Sequence, residues 1–135
     1  MYRIRERLIM QIKYFKAPDI KQRVQEIVNS LNLCYIDCHF VYCFRSTGSR
    51  SKRIIARIHG LGKIWQIAIP ILPQYIIEVI SERYDKLSTE EKDKVLIHEL
   101  LHIPKRFSGG FRVHKGYVDQ KKVDKLYKKL KNRYK

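Results

Sequence analysis

The stretch STEEKDKVLIHELLHI, residues 88–103, carries the strongest helix signal and the most informative motif of the chain. Ser88 followed three positions later by Glu91 is a capping box, which marks the start of a helix, and Pro104 ends it. Residues 98–102 read HELLH, an H-E-x-x-H motif. Because residues four apart share one helical face, both imidazoles can reach one ion at about 2.0–2.1 Å. The motif therefore predicts a metal site on this helix.

Glu99 directly follows the first histidine and lies about 100° further round the helix, beside the ion rather than on it. Zinc lowers the pKa of a bound water to about 7. A carboxylate beside the ion can take the proton of that water as the water attacks a polarised carbonyl. The sequence therefore predicts a catalytic zinc with Glu99 as general base. The competing explanation is a pair of ordinary histidines on a helix edge with a solvated glutamate.

A mononuclear catalytic zinc usually has three protein ligands and one open position. His114 is the favoured third ligand, because it is the only histidine after the motif and the Gly109-Gly110 pair lets the chain turn back. A carboxylate or an upstream histidine stays open as the alternative: Asp119, Asp124, His39 or His59. Asp119 has a second explanation as the cap of the last helix.

The stretch VLIHELLHIPKRFSGGFRVHKGY, residues 95–117, resembles the small archaeal and phage metallopeptidases related to the SprT-like zincins. In that family the motif is followed by a short loop and a third ligand in an H-x-G context, which residues 114–116 match. The resemblance implies a zinc metallopeptidase with one Zn²⁺ held by His98, His102 and His114 and with Glu99 as the catalytic acid/base. It also suggests that the protein or peptide substrates include proteins associated with nucleic acid. Lys105 and Ser108 stand where the extended metzincin motif has glycine and histidine, which disfavours that branch.

Two further site features are expected. Tyr117 and Arg112 flank His114 and are candidate transition-state stabilisers, although surface packing explains each of them equally well. The resemblance also suggests that an edge strand beside the motif helix aligns an extended substrate, and KIWQIAIP, residues 63–70, fits because its terminal proline suits an edge strand.

The remaining pattern predicts an α+β fold. Apolar residues at spacings of three and four predict a helix over residues 19–31 with Asp19 as N-cap, and a final helix over residues 118–134. Residues 2–15 read as strand or helix. Four β-rich segments follow the helix over residues 19–31 and precede the motif helix: CYIDCHFVYCF, RIIARIHG, KIWQIAIP and YIIEVI. A hairpin is expected at residues 60–62.

We therefore expect one minimal zincin-like domain over residues 1–135, with an N-terminal helix, a three- to four-stranded mainly antiparallel or mixed sheet, the motif helix and a C-terminal helix. The chain is 44 % hydrophobic, enough for one core. The sequence shows neither a signal peptide nor an uninterrupted apolar run of about 18 residues, so an intracellular, cytoplasmic protein is expected.

The formal charge of +16 comes from 29 Lys and Arg against 13 Asp and Glu. Basic residues concentrate in residues 45–63 and 115–135, as in proteins that bind a phosphate backbone. The candidate nucleic-acid contacts are Arg50, Lys52, Arg53, Lys122, Lys125 and Lys129. A solvated basic face without a partner explains the same residues, and composition does not separate the two.

Three cysteines, Cys34, Cys38 and Cys43, lie within ten residues, with His39 among them. An odd number does not suggest a disulfide framework, and their spacing is wider than the C-x-x-C pairs that zinc usually takes. We expect them to serve as small hydrophobic residues. Two functions besides the peptidase stay open: a basic nucleic-acid-binding protein with a structural metal, and a metal-dependent ribonuclease.

Overall fold

The computed structural model describes residues 12–112 and 114–133. Its strands are β1 (Lys13–Lys16), β2 (Val41–Thr47), β3 (Ala56–Gly60) and β4 (Tyr75–Ile80). Its helices are α1 (Pro18–Ser30), α2 (Lys63–Ala68), α3 (Ser81–Tyr84), α4 (Thr89–Leu101), α5 (His114–Tyr117) and α6 (Gln120–Arg133), and a 3₁₀ turn spans Cys38–Phe40. The expected residues 2–11 of the first element and Tyr134 of the last lie outside the described residues.

The four strands form one mixed sheet in the order β1-β2-β4-β3. β2 and β4 run parallel, with Val41 opposite Tyr75, while β1 on β2 and β3 on β4 pair antiparallel. Parallel neighbours need a long crossover, and here residues 48–74 supply it. The α+β class and the mixed four-stranded sheet are thus confirmed.

The core lies between one face of this sheet and the long helices. On the central strand, Tyr75, Ile77 and Val79 are fully buried at alternate positions. They pack with Val24 and Ile27 of α1, and with the apolar residues Leu96, Ile97 and Leu100 of α4. The side chains of α4 that carry the motif are therefore held against a packed layer.

The motif helix α4 begins at a capping box. Ser88 accepts a hydrogen bond from the Glu91 amide, and the Glu91 carboxylate accepts from the Ser88 amide, so the predicted capping box is confirmed. Arg23 of α1 makes two hydrogen bonds, of 2.8 and 2.7 Å, to the buried carboxylate of Asp93. This paired contact of guanidinium and carboxylate ties α4 to α1.

The expected edge strand over residues 63–70 is wrong. Residues Lys63–Ala68 form helix α2, with none of its side chains buried. The β3–β4 pairing continues through the Leu61 amide, which donates to the Gln74 carbonyl, so β3 takes β4 as its hairpin partner and residues 62–73 are excluded from the sheet. The expected hairpin at residues 60–62 is wrong for the same reason, and β3 is the edge strand on this side.

Smaller boundaries also differ. Helix α1 begins at Pro18 with Ala17 at the N-cap position, because a proline is well suited to the first helical turn. Asp19 instead accepts two hydrogen bonds from Arg45, at 2.6 and 2.8 Å. Helix α6 begins only at Gln120, since the Asp119 carboxylate accepts from the Lys122 amide at 2.8 Å and caps it.

Candidate metal centre

Three histidines meet at the C-terminal end of α4. The ring centroids of His98 and His102 are 5.1 Å apart, and His114 lies 5.3 Å from the first and 4.7 Å from the second. One ligand atom from each residue lies within 4.8 Å of the others, a spacing at which the three side chains could hold one ion. Three imidazole nitrogens are a donor set that fits a divalent transition metal such as zinc.

His102 is oriented by the loop that follows the helix. Its Nδ1 lies 2.8 Å from the Arg112 carbonyl oxygen, and since a carbonyl only accepts, Nδ1 carries the proton. In the neutral ring this leaves Nε2 with its lone pair free for a metal. Hydrogen bonds of this kind to a ligating histidine are usual at metal sites, where they set the tautomer and the ring orientation.

Burial shapes the protonation of the motif. Burial, together with the proximity of His102 and His114, lowers the pKa of His98 and favours the neutral form that can bind a metal. Glu99 is 8 % exposed, and burial raises the pKa of its carboxyl to about 7. A carboxyl with that pKa exchanges protons readily near neutral pH.

A cavity of about 300 Å³ opens beside these residues. His98 and Glu99 lie on its wall. Residues 54–56, the last of which is the first residue of β3, form another wall together with Val95 of α4 and Val123 of α6. Arg53, Lys94 and Gln120 add polar groups to the lining. Since Glu99 lines this space, a substrate group inside it would meet the carboxylate.

The alternative ligands lie in other places. Within residues 12–112 and 114–133, the His98, His102 and His114 group is the one set of ligating side chains close enough for a metal. Asp119 caps α6, Asp124 pairs with Lys94 at 3.1 Å, and His59 donates to Glu78 at 2.8 Å.

The cysteines do not gather into a metal site. Cys34 is exposed and Cys38 is half-buried, while Cys43 is buried in the core. Burial raises the pKa of the Cys43 thiol to about 12, so this side chain is a packed, protonated thiol. Its packing agrees with the expected hydrophobic role.

The two candidate stabilisers lie together. The guanidinium carbon of Arg112 is 5.4 Å from the ring centroid of Tyr117 and 6.0 Å from that of Tyr35. The Tyr117 side chain is half exposed, and Lys122 also lies over its ring at 5.6 Å. Arg112 contacts a motif histidine through its backbone, which makes two hydrogen bonds to His102.

The positive charge of the basic stretch 45–63 is partly paired with acidic residues. Arg45 is bound to Asp19 and Asp85, and Arg57 lies 4.0 Å from Glu78, so acidic residues distant in sequence offset part of the charge. The six candidate contacts are all exposed: Arg50, Lys52, Arg53, Lys122, Lys125 and Lys129. Arg53 also lines the cavity beside the motif.

Sequence reasoning missed two residues that hold the loop before His114, namely Tyr75 and Gln66. The Tyr75 hydroxyl accepts from the Gly109 amide, and Gln66 donates to the Ser108 carbonyl, each at 2.8 Å. A tyrosine opening a mostly aliphatic strand is the one local sign that could have directed attention to Tyr75. Gln66 has no such sign, because its partner in the loop, Ser108, lies 42 positions away in the sequence.

The fold and the clustered histidines define a small α+β domain with a candidate metal centre on an H-E-x-x-H helix. A family model described as "Putative phage metallopeptidase" matches residues 12–131, and the chain belongs to that family. Searches of curated proteins and of solved structures found no match. Membership implies a metal ion and a protein or peptide substrate.

No helix within the described parts of the chain is both long and apolar enough to cross a membrane.

Proposed function

We propose that this protein is a zinc-dependent peptidase in which His98, His102 and His114 hold the ion and Glu99 is the general base. The observation that carries the proposal is the convergence of His114 on the motif pair beside a buried carboxylate. The relation to the SprT-like zincins, inferred from residues 95–117, belongs to the same proposal.

A bound zinc ion supplies Lewis-acid chemistry, polarising the substrate carbonyl and acidifying a water. The protein's own residues do the rest. Glu99 takes the proton from the attacking water on a carboxylate oxygen and returns it to the leaving amine nitrogen. Its raised pKa, about 7, suits both halves of that transfer. Tyr117 and Arg112 are proposed to stabilise charge that develops on the carbonyl oxygen.

The substrate is proposed to bind along β3. This strand is hydrogen-bonded to β4 on one side and forms the edge of the sheet on the other. Residues 54–56, which include the first residue of β3, line the same cavity as His98 and Glu99. An extended peptide added to this edge would therefore run beside the motif, with a side chain in a cavity whose apolar walls include Ile54 and Val95.

The number of ligands favours an enzyme over a structural metal site. Structural zinc normally has four protein ligands and no open position, whereas the described residues bring together three. A ribonuclease stays the less favoured enzyme, because a buried glutamate directly after the first histidine is the arrangement that peptide hydrolysis needs. Non-specific nucleic-acid association is proposed as an addition to the peptidase, through the six exposed basic residues named above.

Glu99→Gln tests the mechanism, with Glu90→Gln as the matched control, since Glu90 is an exposed glutamate on the same helix. We expect about one zinc per chain in all three proteins. Cleavage of an unfolded protein substrate should fall by at least about 100-fold in Glu99→Gln alone. Undiminished zinc-dependent cleavage in Glu99→Gln would overturn the assigned base, and a wild type without zinc would overturn the metal site.

A further inference from the structure

The return loop, residues 104–112, is held by one hydroxyl group from the sheet. Tyr75, the first residue of β4, is fully buried and points its hydroxyl at the loop. The hydroxyl accepts from the Gly109 amide at 2.8 Å and donates to the Gly110 carbonyl at 2.8 Å. A single side chain thus satisfies a donor and an acceptor of two consecutive loop residues.

The ring of Tyr75 holds the same loop on both sides of the glycines. It meets the Phe107 ring edge-on at 5.0 Å and the Phe111 ring edge-on at 6.0 Å. Edge-to-face contacts at these distances are favourable. The loop is therefore fixed before and after the turn by one residue.

Gln66 of α2 provides a second attachment. Its Nε2 donates to the carbonyls of Leu61 and Ser108, each at 2.8 Å, and so joins the end of β3 to the loop. The two segments touch through their backbones: a Cβ on Gly60 would lie 2.3 Å from the Gly109 oxygen. The exposed helix α2 thereby gains a role as a support for the loop.

The return loop leads to His114 and also contacts His102. Arg112, two residues before His114, donates its amide proton to the His102 carbonyl and accepts from His102 Nδ1, each at 2.8 Å. A shift of residues 109–112 would therefore disturb two ligands at once, the approach of His114 and the orientation of the His102 ring. Ordering a loose loop on metal binding would cost conformational entropy. Because the contacts of Tyr75 and Gln66 already order the return loop, this cost does not fall on metal binding.

We propose that Tyr75 is a positioning residue for the metal centre, which holds the return loop so that His114 is presented to His98 and His102 before the metal arrives. Gln66 assists from α2. This inference rests on the proposed function, because it takes the three histidines as the metal ligands.

Tyr75→Phe tests the proposal, since it keeps both ring contacts and removes only the hydroxyl. We expect Zn²⁺ affinity, measured on the full chain by competition with a chelator, to fall by about 10–100-fold. The far-UV circular dichroism of the metal-free protein should be unchanged. Tyr84→Phe is the matched control, because Tyr84 is also buried but lies on α3, and its Zn²⁺ affinity should equal that of the wild type.

A second background separates positioning from general structural support. When His114→Ala is already present, Tyr75→Phe should lose the part of its effect on Zn²⁺ affinity that it exerts through His114. Only the smaller part, exerted through the orientation of His102, should remain. An equal loss in both backgrounds, or wild-type affinity in Tyr75→Phe, would overturn the proposal.

If Tyr75→Phe does not fold, Gln66→Met takes its place, since it removes the donor from an exposed helix. We expect weaker Zn²⁺ binding with the same dependence on His114, and wild-type affinity in Gln66→Met would then overturn the proposal. A wild-type chain that binds no Zn²⁺ contradicts the proposed function itself. If the wild type binds Zn²⁺ and Tyr75→Phe or Gln66→Met binds it equally tightly, this inference alone is overturned.

Discussion

His102 and Arg112 exchange two hydrogen bonds, one from the Arg112 amide to the His102 carbonyl and one from His102 Nδ1 to the Arg112 carbonyl, both at 2.8 Å. The first extends the end of the motif helix into the loop, and the second sets the tautomer of the ring. The backbone that carries His114 is thus also the partner that orients His102.

The ligand set predicts the effect of His114→Ala. Removing one of three imidazoles should weaken Zn²⁺ binding by more than about 100-fold. This loss is larger than that caused by changing a residue that only hydrogen-bonds to a metal ligand. His39→Ala is the control, because His39 is an exposed histidine outside the three-histidine group. Calorimetric or chelator titration measures both. Equal affinity in wild type and His114→Ala would return the third position to Asp119 or Asp124.

The return loop predicts different outcomes for its two glycines. Gly109 has φ of +93°, and a Cβ there would lie 2.3 Å from the Leu61 oxygen, whereas a Cβ on Gly110 would meet only Ser108 Oγ at 3.7 Å. Gly109→Ala should therefore lower the free energy of unfolding by about 2 kcal/mol, and Gly110→Ala should change it by under about 0.5 kcal/mol. Denaturant titration distinguishes them, and similar values for the two would contradict the close contact.

Glu78 predicts a pH-dependent component of stability. Burial raises the pKa of its carboxyl, but hydrogen bonds from Ser46 at 2.5 Å and His59 at 2.8 Å, with the nearby Arg57 charge, outweigh burial and hold the pKa below the ordinary 4.5. The unfolded chain therefore takes up this proton at higher pH than the folded protein. The stabilisation is fully present above pH 4.5 and is lost as the pH falls through the folded pKa.

Glu78→Gln should accordingly be less stable than wild type by about 1–3 kcal/mol at neutral pH, since a charge-assisted pair of hydrogen bonds is weakened. The difference should shrink as the pH falls below 4.5. Urea titrations from pH 3 to pH 7 would show it. A difference that stays constant across this range would mean that the carboxylate charge is not what stabilises the strand.

The exposed lysines of α6 predict a salt-dependent association with nucleic acid. Replacing Lys122, Lys125 and Lys129 by glutamine should weaken binding to single- or double-stranded DNA and lower the slope of log K against log salt by about 2–3. A triple change of Lys13, Lys16 and Lys86, also exposed, is the charge-matched control. If both variants lose affinity for DNA equally, the contact is not confined to α6. If the wild type does not bind DNA, or if neither variant loses affinity, the lysines of α6 make no contact with nucleic acid.

Prediction from sequence succeeded where the signal was local. The capping box of Ser88 and Glu91 and the three–four spacing in α1 and α6 involve residues within one or two helical turns, so the sequence displays them directly. It failed at residues 63–70, where β-branched residues suggested a strand. Residues Lys63–Ala68 form a helix instead, and β4 is the strand that pairs with β3. Which segment pairs with β3 is decided by the packing of the whole chain, and no local pattern reveals it.

The sequence by itself determined the motif helix, the placement of His98 and His102 on one of its faces with Glu99 beside them, and the α+β class. Only the tertiary structure decided that His114 joins them, that β3 is the edge strand, and that Tyr75 holds the loop. These relationships join residues that are 12 to 35 positions apart in the chain, as in the bond from Tyr75 to Gly110. They depend on how the sheet and the helices pack, and packing is a property of the whole chain rather than of any segment.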